Sequence, residues 1–204
     1  MNSERHFDRW APSYDHSLLQ RLMFEPVHEA ALTAFFAASS SPHDVLDVGC
    51  GTGRLLETVA RRWGDAWLTG VDASEAMIAQ AQGKHEGDAR FTFRRGDACA
   101  LPLESGSFEV VFSTLSFHHW EDQAAGVREV ARVLRPGGLL VLADVDAPAP
   151  LRWILRSLRQ WTDQANIQGP DAIQRLLEEA GFSVLTRRRF WRISPVQLFV
   201  AKKS

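Results

Sequence analysis

Three glycines at alternate positions, Gly49, Gly51 and Gly53, follow the apolar run Val45–Val48 within VLDVGCGTGRL. Glycine serves two physical ends in a strand-to-helix turn. It reaches positive φ without strain, and its missing Cβ lets a ligand lie against bare backbone. The helix that starts after such a turn presents unpaired N–H groups that attract a carboxylate or another anion. Spacing narrows the ligand. The dinucleotide fingerprint G-x-G-x-x-G requires glycine where Arg54 stands, and the G-K-[ST] of a phosphate-binding loop is absent. Asp47, at the strand end, puts a negative charge beside the loop, which repels a pyrophosphate and suits an ammonium or sulfonium group.

Two further acids stand at the ends of apolar runs. Asp72 closes TGVDAS, where a carboxylate can accept hydrogen bonds from both hydroxyls of a ribose. Asp97, in Gly96-Asp97-Ala98, follows the next run and can read an exocyclic amino group. One acid at a strand end is commonly a solvated turn residue. Asp47, the glycines, Asp72 and Asp97 in register after successive strands form a pattern that chance explains poorly. The remaining titratable candidates are His118 and His119 in Ser113-Thr114-Leu115-Ser116-Phe117-His118-His119-Trp120. Histidine takes a proton near neutral pH, so either can serve as a general base, while the bland reading makes one a helix cap or a packing partner of Trp120.

Positioning these residues calls for strands alternating with helices around a mostly parallel sheet. Strands are expected at Val45–Val48, Trp67–Val71, Phe91–Arg95, Phe108–Ser113, Gly138–Asp144, Val184–Arg188 and Gln197–Lys202. Helices are expected at Arg54–Trp63, at Ser74–Gln82 with Ser74 as its cap, at Ala124–Leu134 before Arg135-Pro136-Gly137-Gly138, and at Asp171–Ala180 before Gly181. Two segments fall outside the alternation. Residues 1–41 read as helical, broken at Pro12 and Pro26, and form an expected N-terminal lid; residues 147–170 form an expected cap insertion. The core is then 42–146, with a last helix and two strands in 171–204, all one domain. Within the insertion, LRWILRSLRQW sets leucines on one helical face and arginines on another, which fits a cap with a solvated face, a substrate wall or a membrane-surface contact.

Composition bounds the function. The 204 residues are 45% hydrophobic and 24% charged, ordinary values for a globular chain with its own core. A net charge of −2 argues against nucleic acid as the main partner. The two cysteines, Cys50 and Cys99, fit neither a disulfide framework nor a metal site, and no metal is expected. MNSERHFDRW holds no apolar signal core and no run approaches the roughly 20 apolar residues of a membrane span, so a cytoplasmic location is expected. Oligomeric state is not legible.

The order of FDRWAPSYD, VLDVGCGTGRL, VDAS, GDACALPLESGSFEVVFS, SFHHW and EVARVLRPGGLLVLADV resembles the class I S-adenosylmethionine-dependent methyltransferases, in the branch that includes ubiquinone and menaquinone biosynthesis enzymes. The resemblance implies a Rossmann-like, doubly wound, seven-stranded α/β sheet with the last strand antiparallel. It implies that the glycine loop holds the methionine portion of the cofactor, Asp72 the ribose, and Asp97 with Ala98 the adenine, with Tyr14 covering the carboxylate end. The cofactor set is therefore Tyr14, Asp47, Gly49, Cys50, Gly51, Asp72, Ala73, Met77, Gly96, Asp97, Ala98 and Ser113. S-adenosylhomocysteine would be the product.

The resemblance assigns no base, and His118 and His119 remain the catalytic candidates. The expected partner is a small methyl acceptor, apolar or aromatic, reacting at oxygen, carbon or nitrogen. Seven tryptophans against one tyrosine, with Trp10, Trp120, Trp153 and Trp161 in presumed cap segments, suit such a pocket, although tryptophan also fills cores. A non-catalytic cofactor-binding protein of the same fold, and a methyltransferase of nucleic acid or protein, remain open alternatives. The amino-methylating signature N-P-P-Y is absent after the fourth expected strand.

Overall fold

The computed structural model describes residues 24–39, 41–146, 166–191 and 195–204. Helix α1 (Glu25–Ala38) leads into β1 (Asp44–Val48), α2 (Arg54–Arg62), β2 (Trp67–Asp72), α3 (Glu75–Lys84) and β3 (Phe91–Arg95). The chain continues through β4 (Phe108–Thr114), a 3-10 turn (Phe117–His119), α4 (Gln123–Val133) and β5 (Leu134–Val145). It closes with α5 (Pro170–Glu179), β6 (Phe182–Trp191) and β7 (Pro195–Lys203).

The strands form one seven-stranded sheet in the order β3-β2-β1-β4-β5-β7-β6. Strands β1 to β5 run parallel, and β7 is antiparallel to both β5 and β6. The expected doubly wound sheet with an antiparallel last strand is thus observed. Strand order reverses between β1 and β4, and the crevice outside their carboxyl ends is where such a sheet receives a ligand. The glycine loop leaves one side of that crevice and the histidine turn the other.

Both faces are covered, which explains the nearly continuous apolar runs of β4 and β5. One core layer takes Val27, Leu32 and Phe35 of α1, Leu55, Leu56 and Val59 of α2, and Ile78 and Ala81 of α3. The opposite layer takes Val127, Val130 and Val133 of α4 with Ile173 and Leu177 of α5. Each fully buried aliphatic or aromatic side chain of this kind contributes about 1.5–3 kcal/mol.

Local chemistry sets the helix starts. Ser74 caps α3 by accepting from the Met77 N–H (3.2 Å), and Asp122 caps α4 through the Ala125 N–H (2.9 Å). Gly181, at φ +87°, ends the last helix as expected.

Two expectations need correction, and a third, the break at Pro26, falls at the edge of the described residues. Pro26 lies in the first turn of α1, where a proline gives up an N–H that has no intrahelical partner, and the residues before Phe24 lie outside the described ones. Helix α1 is not part of a lid, since it packs its apolar face on β4, β5 and β7. Strand β5 begins at Leu134, before Arg135-Pro136-Gly137-Gly138: Leu134 pairs with Phe108, an irregularity follows with Gly137 at φ +77°, and the regular ladder starts at Leu139. Phe7, Trp10, Tyr14 and residues 147–165, which carry the remaining lid and cap expectations, lie outside the described residues.

Candidate active site

The glycine loop owes its shape to main-chain conformation. Gly49, Gly51 and Gly53 take φ of +77°, +52° and +85°, the left-handed region that L side chains avoid. At Gly49 a Cβ would also lie 2.3 Å from the Cβ and Oγ of Ser116, so the loop and the histidine turn are in contact there. The N–H groups of Gly49 and Cys50 both donate to the Val71 carbonyl (2.8 and 3.1 Å), which pins the loop to β2.

Asp72 faces this loop. Its Oδ2 accepts from the Gly51 N–H and its Oδ1 from the Ser74 N–H, both at 2.9 Å. The end of β3 joins the same arrangement, because the Gly96 N–H donates to the Asp72 carbonyl (3.0 Å). Asp97 is exposed and its Oδ1 accepts from the Cys99 N–H (2.8 Å), while Ala98 beside it is buried.

Asp47 is the electrostatic oddity. It is 2% exposed, and its Oδ1 has no hydrogen-bond partner. Burial first, and then the negative charge of Asp72, push its pKa up to about 8. A cation placed against that carboxylate would remove both penalties.

Helix α1 closes the other side of α2. Arg54 pairs with Glu25 (2.8 Å), and buried His28 has its pKa pulled down to about 4 by burial and by the Arg54 charge.

The histidine turn is built differently, by side chains from distant parts of the chain. The Oγ of Ser116 donates to the Val48 carbonyl (2.9 Å), so the Ser113 hydroxyl, 2.9 Å away, donates to Ser116. Leu115, buried at φ +54°, carries the backbone around the bend. For a residue with a Cβ this conformation costs roughly 1–2 kcal/mol.

His118 then meets Asp144 at the end of β5. Its backbone N–H donates to Asp144 Oδ2 and its ring Nδ1 bonds Asp144 Oδ1, both at 2.6 Å. Asp144 is 2% exposed and the His118 side chain 14%. A carboxylate accepts, so the shared proton sits on Nδ1, and in the neutral ring the lone pair is then on Nε2. His119 is exposed, with its ring centroid 4.0 Å from that of His118.

The structure brings Asp47, Gly49, Gly51, Asp72 and Gly96 into one connected arrangement and sets Asp97 and Ala98 at the neighbouring strand end. Cys50 takes part through its N–H and through its buried thiol, which donates to the Gly51 carbonyl (3.6 Å); burial raises the pKa of that thiol well above the ordinary value. Ala73 is exposed, with its carbonyl bound by Arg95 Nε (3.1 Å), and the Met77 side chain is buried under the first turn of α3. Ser113 is fully buried, and its hydroxyl braces the turn through its bond to Ser116. Trp120 is core as well: it packs edge-on to Phe117 at 5.0 Å, and Gly126 supplies the room for it.

Asp144 was missed at the sequence level, although the signal was there. An acid ends the apolar run LLVLAD just as Asp72 ends the run before it.

These residues fit a sulfonium nucleoside with an α-amino acid tail. An orphaned buried carboxylate suits an ammonium, positive-φ glycines leave backbone bare, and carboxylates follow successive strands.

A protein-family profile described as a methyltransferase domain matches residues 45–138. The chain is 31% identical to the O-methyltransferase resE of Aspergillus sclerotiorum over 82% of this chain and 65% of that one. It is 38% identical to the 2-methyl-6-phytyl-1,4-hydroquinone methyltransferase of Synechocystis over 59% of this chain and 39% of that one. The chain therefore spans less than two thirds of the length of these relatives. Among solved structures, a chain of the complex between the Haloferax volcanii Trm112 methyltransferase activator and a methyltransferase superposes with a TM-score of 0.82 at 20% identity, covering 96% of each chain. Sheet order, glycine loop and sequence likeness agree: residues 45–138 carry a methyltransferase domain, set in the seven-stranded sheet expected of the class I S-adenosylmethionine-dependent methyltransferases.

Proposed function

We propose that this protein transfers the methyl group of S-adenosylmethionine to a hydroxyl of a small, apolar or aromatic molecule, with His118 as general base. The observation that carries the reading is the His118–Asp144 pair, at the carboxyl ends of β4 and β5, whose turn rests on the glycine loop through Ser116 and Gly49.

The glycine loop and Asp47 would hold the methionine portion, Asp72 the ribose, and Asp97 with Ala98 the adenine. When bound, the cofactor supplies an electrophilic methyl group. The chain's own task is then alignment and one proton transfer. Asp144 fixes the ring and its tautomer, so that Nε2 takes the proton of the acceptor hydroxyl as its oxygen is methylated. Enzymes named O-methyltransferases among the relatives support oxygen as the acceptor atom. The net charge of −2 supports a small molecule over a polyanion. No helix among the described residues is long and apolar enough to cross a membrane, and both cysteines are unpaired, which supports work in the cytoplasm.

The test has two stages. Isothermal titration with S-adenosylmethionine and S-adenosylhomocysteine should show binding, and absent binding at millimolar ligand defeats the assignment. A panel of phenols and aliphatic alcohols, read by S-adenosylhomocysteine formation, should then yield an acceptor whose turnover requires His118. Turnover restricted to carbon or nitrogen acceptors would defeat the hydroxyl assignment.

A further inference from the structure

Both halves of the His118–Asp144 pair are tied by a buried glutamine to the same short segment, residues 166–168. Gln123, 3% exposed, donates through Nε2 to the Phe117 carbonyl (3.0 Å) and to the Asn166 carbonyl (2.7 Å). Gln197, 2% exposed, donates through Nε2 to the Gln168 carbonyl (2.9 Å) and to the Val145 carbonyl (3.4 Å). Phe117 immediately precedes His118, and Val145 immediately follows Asp144. The Asn166 N–H closes the arrangement by donating to the His118 carbonyl (2.7 Å).

Three backbone polar groups at His118 are consequently taken by three different elements. Asp144 of β5 takes its N–H, Gln123 of α4 the carbonyl before it, and Asn166 its own carbonyl. The segment itself leads through Gly169 into α5, whose Ile173 and Leu177 are anchored in the core. A β5–β7 register of Asp144 opposite Gln197 places the second glutamine directly beside the acid.

Each of these amides is an unusual choice for a core. Both Oε1 atoms are buried without a hydrogen-bond partner, and a buried unsatisfied acceptor costs about 1–3 kcal/mol. An apolar side chain would avoid that cost and would supply no bridge.

We propose that Gln123 and Gln197 are positioning residues that splint the histidine turn and the Asp144 strand end onto residues 166–168, so that the imidazole stays within bonding distance and alignment of its carboxylate. The proposal rests on His118 being the base and adds what holds it in place.

The experiment uses the full chain carrying Gln123→Met or Gln197→Met, two independent variants, so that one remains informative if the other does not fold. Proton and nitrogen NMR reads the His118 ring: the low-field Nδ1–H resonance of the short bond to Asp144 and the tautomer reported at Nε2. Titration with S-adenosylhomocysteine reads the cofactor side in the same samples. The expected result is a broadened or lost Nδ1–H resonance, tautomer exchange in the ring, and an S-adenosylhomocysteine affinity within about twofold of the parent. Once an acceptor is in hand, turnover should fall about tenfold or more with little change in KM for the cofactor.

A thermal midpoint that drops while the His118 resonances stay as in the parent protein would show glutamines that serve stability alone and would overturn the proposal. The NMR arm needs no bound cofactor. A parent protein that fails to bind S-adenosylhomocysteine therefore defeats the proposed function, whereas unchanged ring resonances in both variants defeat the splint.

Discussion

The two sides of the crevice are made of different materials. On the β1–β2–β3 side the work is done by main chain: glycines at positive φ, N–H groups bound to Val71, and Asp72 gripping the Gly51 N–H. On the β4–β5–β7 side it is done by side chains that meet across the fold, with His118 on Asp144, Gln123 on Asn166 and Gln197 on Gln168. A main-chain cradle recognises a ligand's constant portion and tolerates many side chains around it. A side-chain constellation sets a proton and a geometry, and single substitutions can abolish it. One half of the site should therefore fail gradually and the other abruptly.

The most severe test of that contrast is His118 itself. His118→Asn should lower turnover of an identified acceptor by about 10²–10⁴-fold while S-adenosylhomocysteine affinity stays within a few-fold, as expected for loss of a general base. Asp144→Asn should fall in the same range, because the amide can present its N–H to Nδ1 and reverse the tautomer. Steady-state rates and titration of the same preparations decide the matter. Equal losses of affinity and turnover would mean that the two halves are one unit.

Gly49→Ala strikes the seam between them. The new Cβ would meet Ser116 at 2.3 Å from a backbone at φ +77°, so loop or turn must shift. The left-handed conformation alone costs about 1–2 kcal/mol. We expect a loss of stability above that figure in urea unfolding, and a loss of both cofactor affinity and turnover. A comparable change at Gly106, whose Cβ would meet nothing within 4 Å, should cost only the conformational part. Similar effects at the two positions would show that Ser116 gives way freely.

The same contrast explains what the sequence made legible. Each of the seven strands overlaps an expected one, and the helices begin within a residue of their expected starts at Arg54 and Ser74, because glycine turns, caps and apolar runs are local patterns. The main-chain half of the site was readable for the same reason, from the spacing of Gly49, Gly51 and Gly53 and the strand-end acids. The side-chain half was not. His118 and Asp144 are 26 residues apart, Gln197 and Gln168 are 29 apart, and Gln123 and Asn166 are 43 apart. Such contacts exist only once the sheet order is known.

The pH dependence of folding separates the halves most finely, because two buried groups on the cofactor side titrate in opposite senses. His28 has a folded pKa of about 4, depressed by burial and by Arg54, against 6.5 for the free side chain. It contributes stability above pH 6.5 that is lost as pH falls toward 4, about 3 kcal/mol in total at ~1.4 kcal/mol per unit. Asp47 has a folded pKa of about 8, raised by burial and by Asp72, against an ordinary 3.8. Its neutral form favours the fold at low pH, and that contribution declines as pH rises from about 4 to 8. Between pH 4 and 6.5 the two slopes oppose each other, so urea unfolding of the parent protein should be nearly flat with respect to these groups. His28→Phe should leave stability falling as pH rises across that window, and Asp47→Asn should leave it rising. Cofactor reverses only the second group. An ammonium against Asp47 favours the carboxylate, so binding should release a proton below pH 8 and tighten with pH up to that point. Titration in two buffers of different ionisation enthalpy counts that proton. Asp47→Asn should abolish its release, and a variant that still released it would locate the titrating group elsewhere and take Asp47 out of the cofactor's charge recognition.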